Sequence, residues 1–145
     1  MIQQYFSTNT HKLKHKSAQI RMEEFPLKKE CYNIIGCAME VHNELGFGFL
    51  EAVYQEALQI VFEEKNVPYI REMILDVRFR NMVLAKKYVA DFLCFNELIV
   101  ELKAAETLTD KDISQVINYL KATNKKVGLL LNFGTTKLQY KRIIL

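Results

Sequence analysis

The chain has 145 residues, 50% of them hydrophobic and 26% charged, with only five Gly and two Pro. That suits one globular domain with a real core and excludes a collagenous, low-complexity or linker-rich chain. The formal charge is +3, but residues 1–30 hold six Lys/Arg against three Asp/Glu while residues 31–145 hold fourteen of each. The body is therefore neutral, which excludes a body-wide basic face for nucleic acid.

Residues 1–25 are polar and weakly patterned, and a loosely ordered extension is expected there. Its Lys12, Lys14, Lys16 and Arg21 read either as a weak phosphate-binding arm or as a plain solvated tail. The stretch lacks the apolar centre of a signal peptide, and no apolar run reaches bilayer length, so no membrane association is expected. Cys31, Cys37 and Cys94 are odd in number and lack CxxC spacing. They read as reduced thiols in a cytoplasmic protein, not as a disulfide framework or a zinc site.

From residue 26 to residue 145 one domain is expected. Leu27, Cys31, Ile34, Ile35, Ala38, Val41, His42 and Leu45 follow the helical period, which Gly46 and Gly48 break. His42 lies on the apolar side of this helix and reads as a satisfied boundary histidine. A second helix is predicted from about Leu50 to Lys65, with Val53, Ala57, Leu58, Ile60 and Val61 as its apolar residues; Asn66 and Pro68 end it. The period then falls to two. Met73, Leu75, Val77 and Phe79 alternate with charged residues as a strand, Asn81-Met82 reads as a turn, and Tyr88–Phe95 as a second strand. Asn96-Glu97 turns the chain into a third strand, Leu98–Ala104. Thr109 with Asp112 reads as the start of a helix running to Ala122, with Ile113, Val116, Ile117 and Leu120 inward. Val127–Phe133 is a continuous apolar strand of the buried type, and Leu138–Ile144 follows as a last one.

Three charged residues stand where strands should be apolar: Asp91, Glu101 and Lys103. Glu101 and Lys103 are two apart and share a face with Ile99; by the same alternation Asp91 would share a face with Val89 and Leu93. Charge buried there must be paired, hydrogen-bonded or metal-bound. Whether Asp91 meets Glu101 depends on register. A two-residue turn at Asn96-Glu97 sets Asp91 opposite Leu102, on the wrong face. A three-residue loop, Phe95 to Glu97, sets it opposite Glu101, and a loop of Asn96 to Leu98 sets it opposite Lys103. A site therefore requires an odd-length loop or a bulge. Two adjacent carboxylates would repel and favour a divalent cation, Mg2+ or Mn2+, with Lys103 beside it for developing negative charge. A structural Lys–carboxylate ion pair fits the same residues. Glu51, in the first turn of its helix, shares a face with Tyr54, Gln55 and Leu58. Gln115 and Tyr119 are helical neighbours flanking an apolar stripe, placed to reach over a cleft or to serve as ordinary boundary residues. Basic groups fall in two places, Arg78, Arg80, Lys86 and Lys87 in one and Lys121, Lys125 and Lys126 in another.

Gly48, Glu51 and Tyr54 spell GxxExxY within EVHNELGFGFLEAVYQEAL, followed by YVADFLCFNELIVELKA and ISQVINYLKATNKKVGLLLNFG. This ordered set resembles the GxxExxY protein family, placed within the PD-(D/E)XK nuclease-like superfamily, over about residues 27–145. The resemblance implies a single α/β domain with a central mixed sheet flanked by helices. It implies a divalent-metal-dependent nuclease in which Asp91, Glu101, the main-chain carbonyl of Leu102 and Glu51 hold Mg2+ or Mn2+. Lys103 would stabilise charge, and Gln115 with Tyr119, matching a Q-x3-Y helix, would orient substrate or Lys103. Nucleic acid is the implied partner, DNA ahead of RNA, with a protein partner or a homodimer also open. The alternative is a non-catalytic interaction module that keeps the fold.

Overall fold

The computed structural model describes residues 25–145, so the extension and its Lys12, Lys14, Lys16 and Arg21 lie outside the described residues. Helices α1 (Lys28–Leu45) and α2 (Glu51–Glu64) come first. Strands β1 (Tyr69–Phe79), β2 (Met82–Cys94) and β3 (Leu98–Lys103) follow, then helix α3 (Asp110–Thr123) and strands β4 (Val127–Asn132) and β5 (Gln139–Ile144). The strands lie side by side in chain order as one five-stranded sheet. Every neighbouring pair is antiparallel except β3 and β4, which run parallel because α3 carries the chain back between them. The result is a single α/β domain with a mixed sheet between helical layers.

The two faces of the sheet carry separate cores. Helices α1 and α2 bury Cys31, Ile34, Ala38, Tyr54, Leu58 and Phe62 against Phe92, Leu98, Val100, Leu102, Leu129 and Leu131. Helix α3 buries Val116, Tyr119 and Leu120 against Leu75, Ala90, Leu93, Ile99 and Leu130 on the other face. It sits down on Gly128, where an added Cβ would come within 2.4 Å of Val116 Cγ1, so only glycine permits this approach.

Several expectations need correction. In α2 the buried stripe is Tyr54, Gln55, Leu58 and Phe62. Val53 and Ile60 are exposed, because the helix turns Tyr54, Leu58 and Phe62 to the core. The β1–β2 turn is Arg80-Asn81, one residue earlier than Asn81-Met82, with both residues at positive φ (49° and 65°) as a two-residue hairpin turn requires. Strand β2 starts at Met82 and not Tyr88. Met82 to Lys87 are all exposed, so pairing with β1 makes them a strand while burial leaves no periodic mark there.

The GxxExxY residues, which run from the α1–α2 loop into the start of α2, have structural work to do. Gly48 has φ 111°, a backbone region that favours glycine. Tyr54 donates its hydroxyl proton to the Gly46 carbonyl (2.7 Å), accepts from the Phe49 N–H (3.3 Å), and stacks on Phe133 at 4.6 Å. The tyrosine thus folds the loop back onto its own helix and fixes where Glu51 begins it. His42 is buried, with Nε2 2.8 Å from the Thr135 carbonyl, a satisfied histidine. Cys31, Cys37 and Cys94 are buried free thiols, and burial pushes each of them up from its ordinary value.

Candidate functional site

The site is built where β2, β3 and the starts of α2 and α3 converge. The register of β2 on β3 pairs Cys94 with Leu98, Leu93 with Ile99 and Phe92 with Val100. That leaves Phe95 to Glu97 as a three-residue loop, in which Phe95 and Asn96 both have positive φ. This is the odd-length loop, and it brings Asp91 to the level of Glu101. The pairing stops at Phe92, and one Asp91 carboxylate oxygen takes up the next bond: Leu102 N–H donates to Asp91 Oδ2 at 2.8 Å.

Asp91 also marks a change of face. Tyr88 and Ala90 face α3, as does Leu93, while Val89 is exposed. In β1, Tyr69 packs with the α1/α2 core, but Met73 and Leu75 pack with α3. Strict alternation cannot give either set, so both strands switch faces near Glu72 and Asp91; Glu72 has φ 53°. The expected grouping of Asp91 with Val89 is corrected accordingly. The switch lets Asp91 reach both layers. Its Oδ1 accepts from Gln55 Nε2 of α2 at 3.4 Å, and Gln55 Oε1 in turn accepts from Arg71 Nη2 at 3.1 Å.

Glu101 and Lys103 project from β3 toward α3 with Ile99. Glu101 is 5% exposed, and its Oε2 is buried without a hydrogen-bond partner among the described residues. Burial, then hydrogen bonding and repulsion from Asp91, push the Glu101 carboxyl up to about 10, with Lys103 pulling the other way. Lys103 Nζ donates to Gln115 Oε1 at 2.9 Å and lies 3.6 Å from Asp112 Oδ1. Gln115 Nε2 donates to Tyr119 Oη at 2.9 Å. Burial and the neighbouring Glu101 hold the Tyr119 phenol up at about 12, so it stays protonated. Asp112 also accepts the Thr109 N–H at 2.8 Å, as expected at a helix start. Burial raises its carboxyl, but the Thr109 bonds and the Lys103 charge prevail and lower it.

Glu51 opens α2 on the solvent side of this cluster. Its carboxyl is raised by partial burial, lowered by Lys103, and raised by Asp91 and Asp112, so it feels the whole cluster. The structure therefore brings Asp91, Glu101, Lys103, Gln115 and Tyr119 together, with Glu51 at the rim. Among the described residues no three His, Cys, Asp or Glu side chains are already arranged to hold a metal ion. Two further residues take part. Gln55 was visible only as a neighbour of Glu51. Asn132, fully buried, accepts from Ala105 N–H and donates to the Ala105 carbonyl, pinning the chain just beyond Lys103. A buried Asn ending an otherwise apolar strand was the available signal for it.

A family model described as the PD-(D/E)XK nuclease superfamily matches residues 28–143, which takes in every element above but the last residue of β5. The chain belongs to the PD-(D/E)XK nuclease superfamily. Among solved structures, the crystal structure of SSO0001 superposes with a TM-score of 0.53 at 16% identity, over 64% of this chain and 50% of that one. At that identity the likeness supports the superfamily fold alone, and this chain spans half the length of that protein. No curated protein sequence matches. Nucleases of this superfamily typically use divalent metals. The residues present fit one: a carboxyl oxygen buried without a partner among the described residues, and a second carboxyl against it, both hard oxygen donors. Among the described residues no helix is long and apolar enough to cross a membrane.

Proposed function

We propose that this PD-(D/E)XK domain, a member of the GxxExxY family, is a divalent-metal-dependent nuclease that hydrolyses phosphodiester bonds of nucleic acid, DNA ahead of RNA, in a reducing cytoplasm. The observation that carries the reading is Glu101, whose buried Oε2 has no partner among the described residues and whose carboxyl lies against Asp91. Such a pair needs either a proton or a cation between its oxygens. Asp91 and Glu101 would hold Mg2+ or Mn2+, with Glu51 at the rim as a further oxygen. The Leu102 carbonyl would be another. Leu102 N–H points toward β2 and the Lys103 carbonyl toward Phe133 beyond β4, so alternation turns the Leu102 carbonyl toward Asp91.

The ion, when bound, polarises a phosphoryl oxygen and acidifies water. The chain's own residues do the rest. Lys103 places its ammonium on the charge that develops at the phosphorus oxygens. Gln115, held by Tyr119, fixes the lysine so that little reorganisation is needed. Asp112 balances the lysine charge on the α3 side.

A second reading, a non-catalytic interaction module that binds nucleic acid, a protein or its own copy, is favoured by the fact that Lys103 and Asp91 already have protein partners. Incubation of labelled single- and double-stranded DNA and RNA with Mn2+, Mg2+ or EDTA, beside an Asp91→Ala/Lys103→Ala variant, separates the two. The nuclease reading expects metal-dependent cleavage that the double variant loses. Absence of cleavage on all four substrates, together with no effect of Mn2+ on the melting temperature, would contradict the nuclease reading and favour the interaction module.

A further inference from the structure

Two clefts meet along α3. The first, about 410 Å3, opens beside Lys103 between Lys111, Gln115, Asn118 and Tyr119 of α3 and Tyr88 of β2. The second, about 310 Å3, lies between Val77 and Arg78 of β1, Tyr88 again, and Asn118 and Lys121 of α3. Tyr88 and Asn118 line both, so the two form one groove between the helix and the β1–β2 hairpin. From Lys111 to Lys121 the groove follows about 15 Å of helix at 1.5 Å per residue. Arg78 and Lys121, assigned by sequence to separate basic patches, stand on the same cleft.

The charges along this groove are not consumed by the fold. Among the described residues Lys111, Arg78 and Lys121 make no ion pair. All three are exposed. Among the described residues the one lining carboxylate, Asp112, is engaged by Lys103 and Thr109. At the waist Tyr88 is half-buried, its ring 5.4 Å from that of Tyr119. A lane of separated cations with an aromatic ring midway matches the periodic phosphates and intervening bases of a nucleic-acid strand.

We infer that this groove carries a short single-stranded segment to the Asp91–Glu101–Lys103 site, with Lys111, Arg78 and Lys121 on its phosphates and Tyr88 against a base. The inference rests on the nuclease reading for what lies at the groove's end. A duplex fits less well. Its bases are stacked on one another and offer only edges to a ring in a cleft. Its charge density also calls for a broad basic face, which the neutral body lacks.

The test is fluorescence anisotropy with the full chain in EDTA, so that no strand is cut. Short labelled oligo-dT, oligo-U and a duplex of equal length are titrated across a range of salt. The unaltered protein is expected to bind single strands at least roughly tenfold tighter than duplex. Arg78→Glu/Lys121→Glu is expected to weaken single-strand binding by about tenfold or more and to reduce the salt slope by about 1.4. Lys137→Glu/Lys141→Glu, the same charge change at exposed positions around β5, is expected to stay within about twofold. Tyr88→Leu, checked for folding by circular dichroism, is expected to weaken binding about tenfold while leaving the salt slope unchanged. Absence of binding at low salt, equal losses in the two charge-reversed variants, or duplex binding as tight as single-strand binding would each overturn the inference. Hydrolysis of a small phosphodiester by the unaltered protein with Mn2+ reads the reaction centre separately. Groove-dependent binding without that hydrolysis sinks the nuclease reading alone, and hydrolysis without groove-dependent binding sinks the groove alone.

Discussion

Strand β3 holds two environments one residue step apart. On one face Leu98, Val100 and Leu102 enter the layer under α1 and α2, where they join a cluster of buried apolar side chains. On the other, Ile99 enters the α3 layer, but Glu101 and Lys103 follow it. Glu101 is buried like its apolar neighbours, yet it holds an oxygen without a partner among the described residues. Each fully buried leucine contributes about 1.5–3 kcal/mol of stability, whereas a carboxyl at the same depth subtracts from it. The pleat thus lets one strand anchor the domain with one face and carry strained chemistry on the other, and the first face tolerates the second.

The largest expected effect comes from damaging the apolar face. Leu129→Ala, on β4 within the α1/α2 layer, should cost about 2–5 kcal/mol in urea unfolding and leave the melting-temperature response to Mn2+ intact. Loss of that response along with stability would mean that the two faces are not independent.

The next effect is on the charged face. Glu101 has its carboxyl raised from 4.5 to about 10 in the fold, so the metal-free native chain keeps a proton that the unfolded chain loses. Its contribution is therefore fully present below the unfolded value and is lost as pH rises toward the folded one. Metal-free stability should fall between about pH 5 and 9, at no more than about 1.4 kcal/mol per unit. Glu101→Gln should flatten that fall and add about 1–3 kcal/mol at pH 8, while abolishing cleavage. A flat profile for the unaltered protein would remove the contrast between the two faces. The smallest effect belongs to Tyr54→Phe. Losing its bond to the Gly46 carbonyl should cost about 0.5–1.5 kcal/mol, and cleavage should fall only as far as the Glu51 helix start loosens.

Much of this was legible in the residues. The period-two pattern put Glu101 and Lys103 on one face, and the choice of loop lengths at Asn96 included the one adopted. Thr109 with Asp112 marked the start of α3. What escaped has physical reasons. The first six residues of β2 are exposed, so only pairing defines them. The face switch at Asp91 breaks the alternation on which strand reading depends. Gln55 reaches Asp91 from α2 and Arg71 reaches Gln55 from β1, and no spacing rule links the three. Arg78 and Lys121 meet only because α3 lies along the hairpin.

Isothermal calorimetry of Mn2+ binding to the metal-free chain at pH 7.5, repeated in two buffers of different ionisation enthalpy, tests the Asp91–Glu101 pair most directly. One ion per chain is expected, with about one proton released on binding as Glu101 gives up the proton that burial holds on it, and loss of both signals in Asp91→Asn. Absence of binding, or binding with no proton released and unchanged in Asp91→Asn, would contradict it.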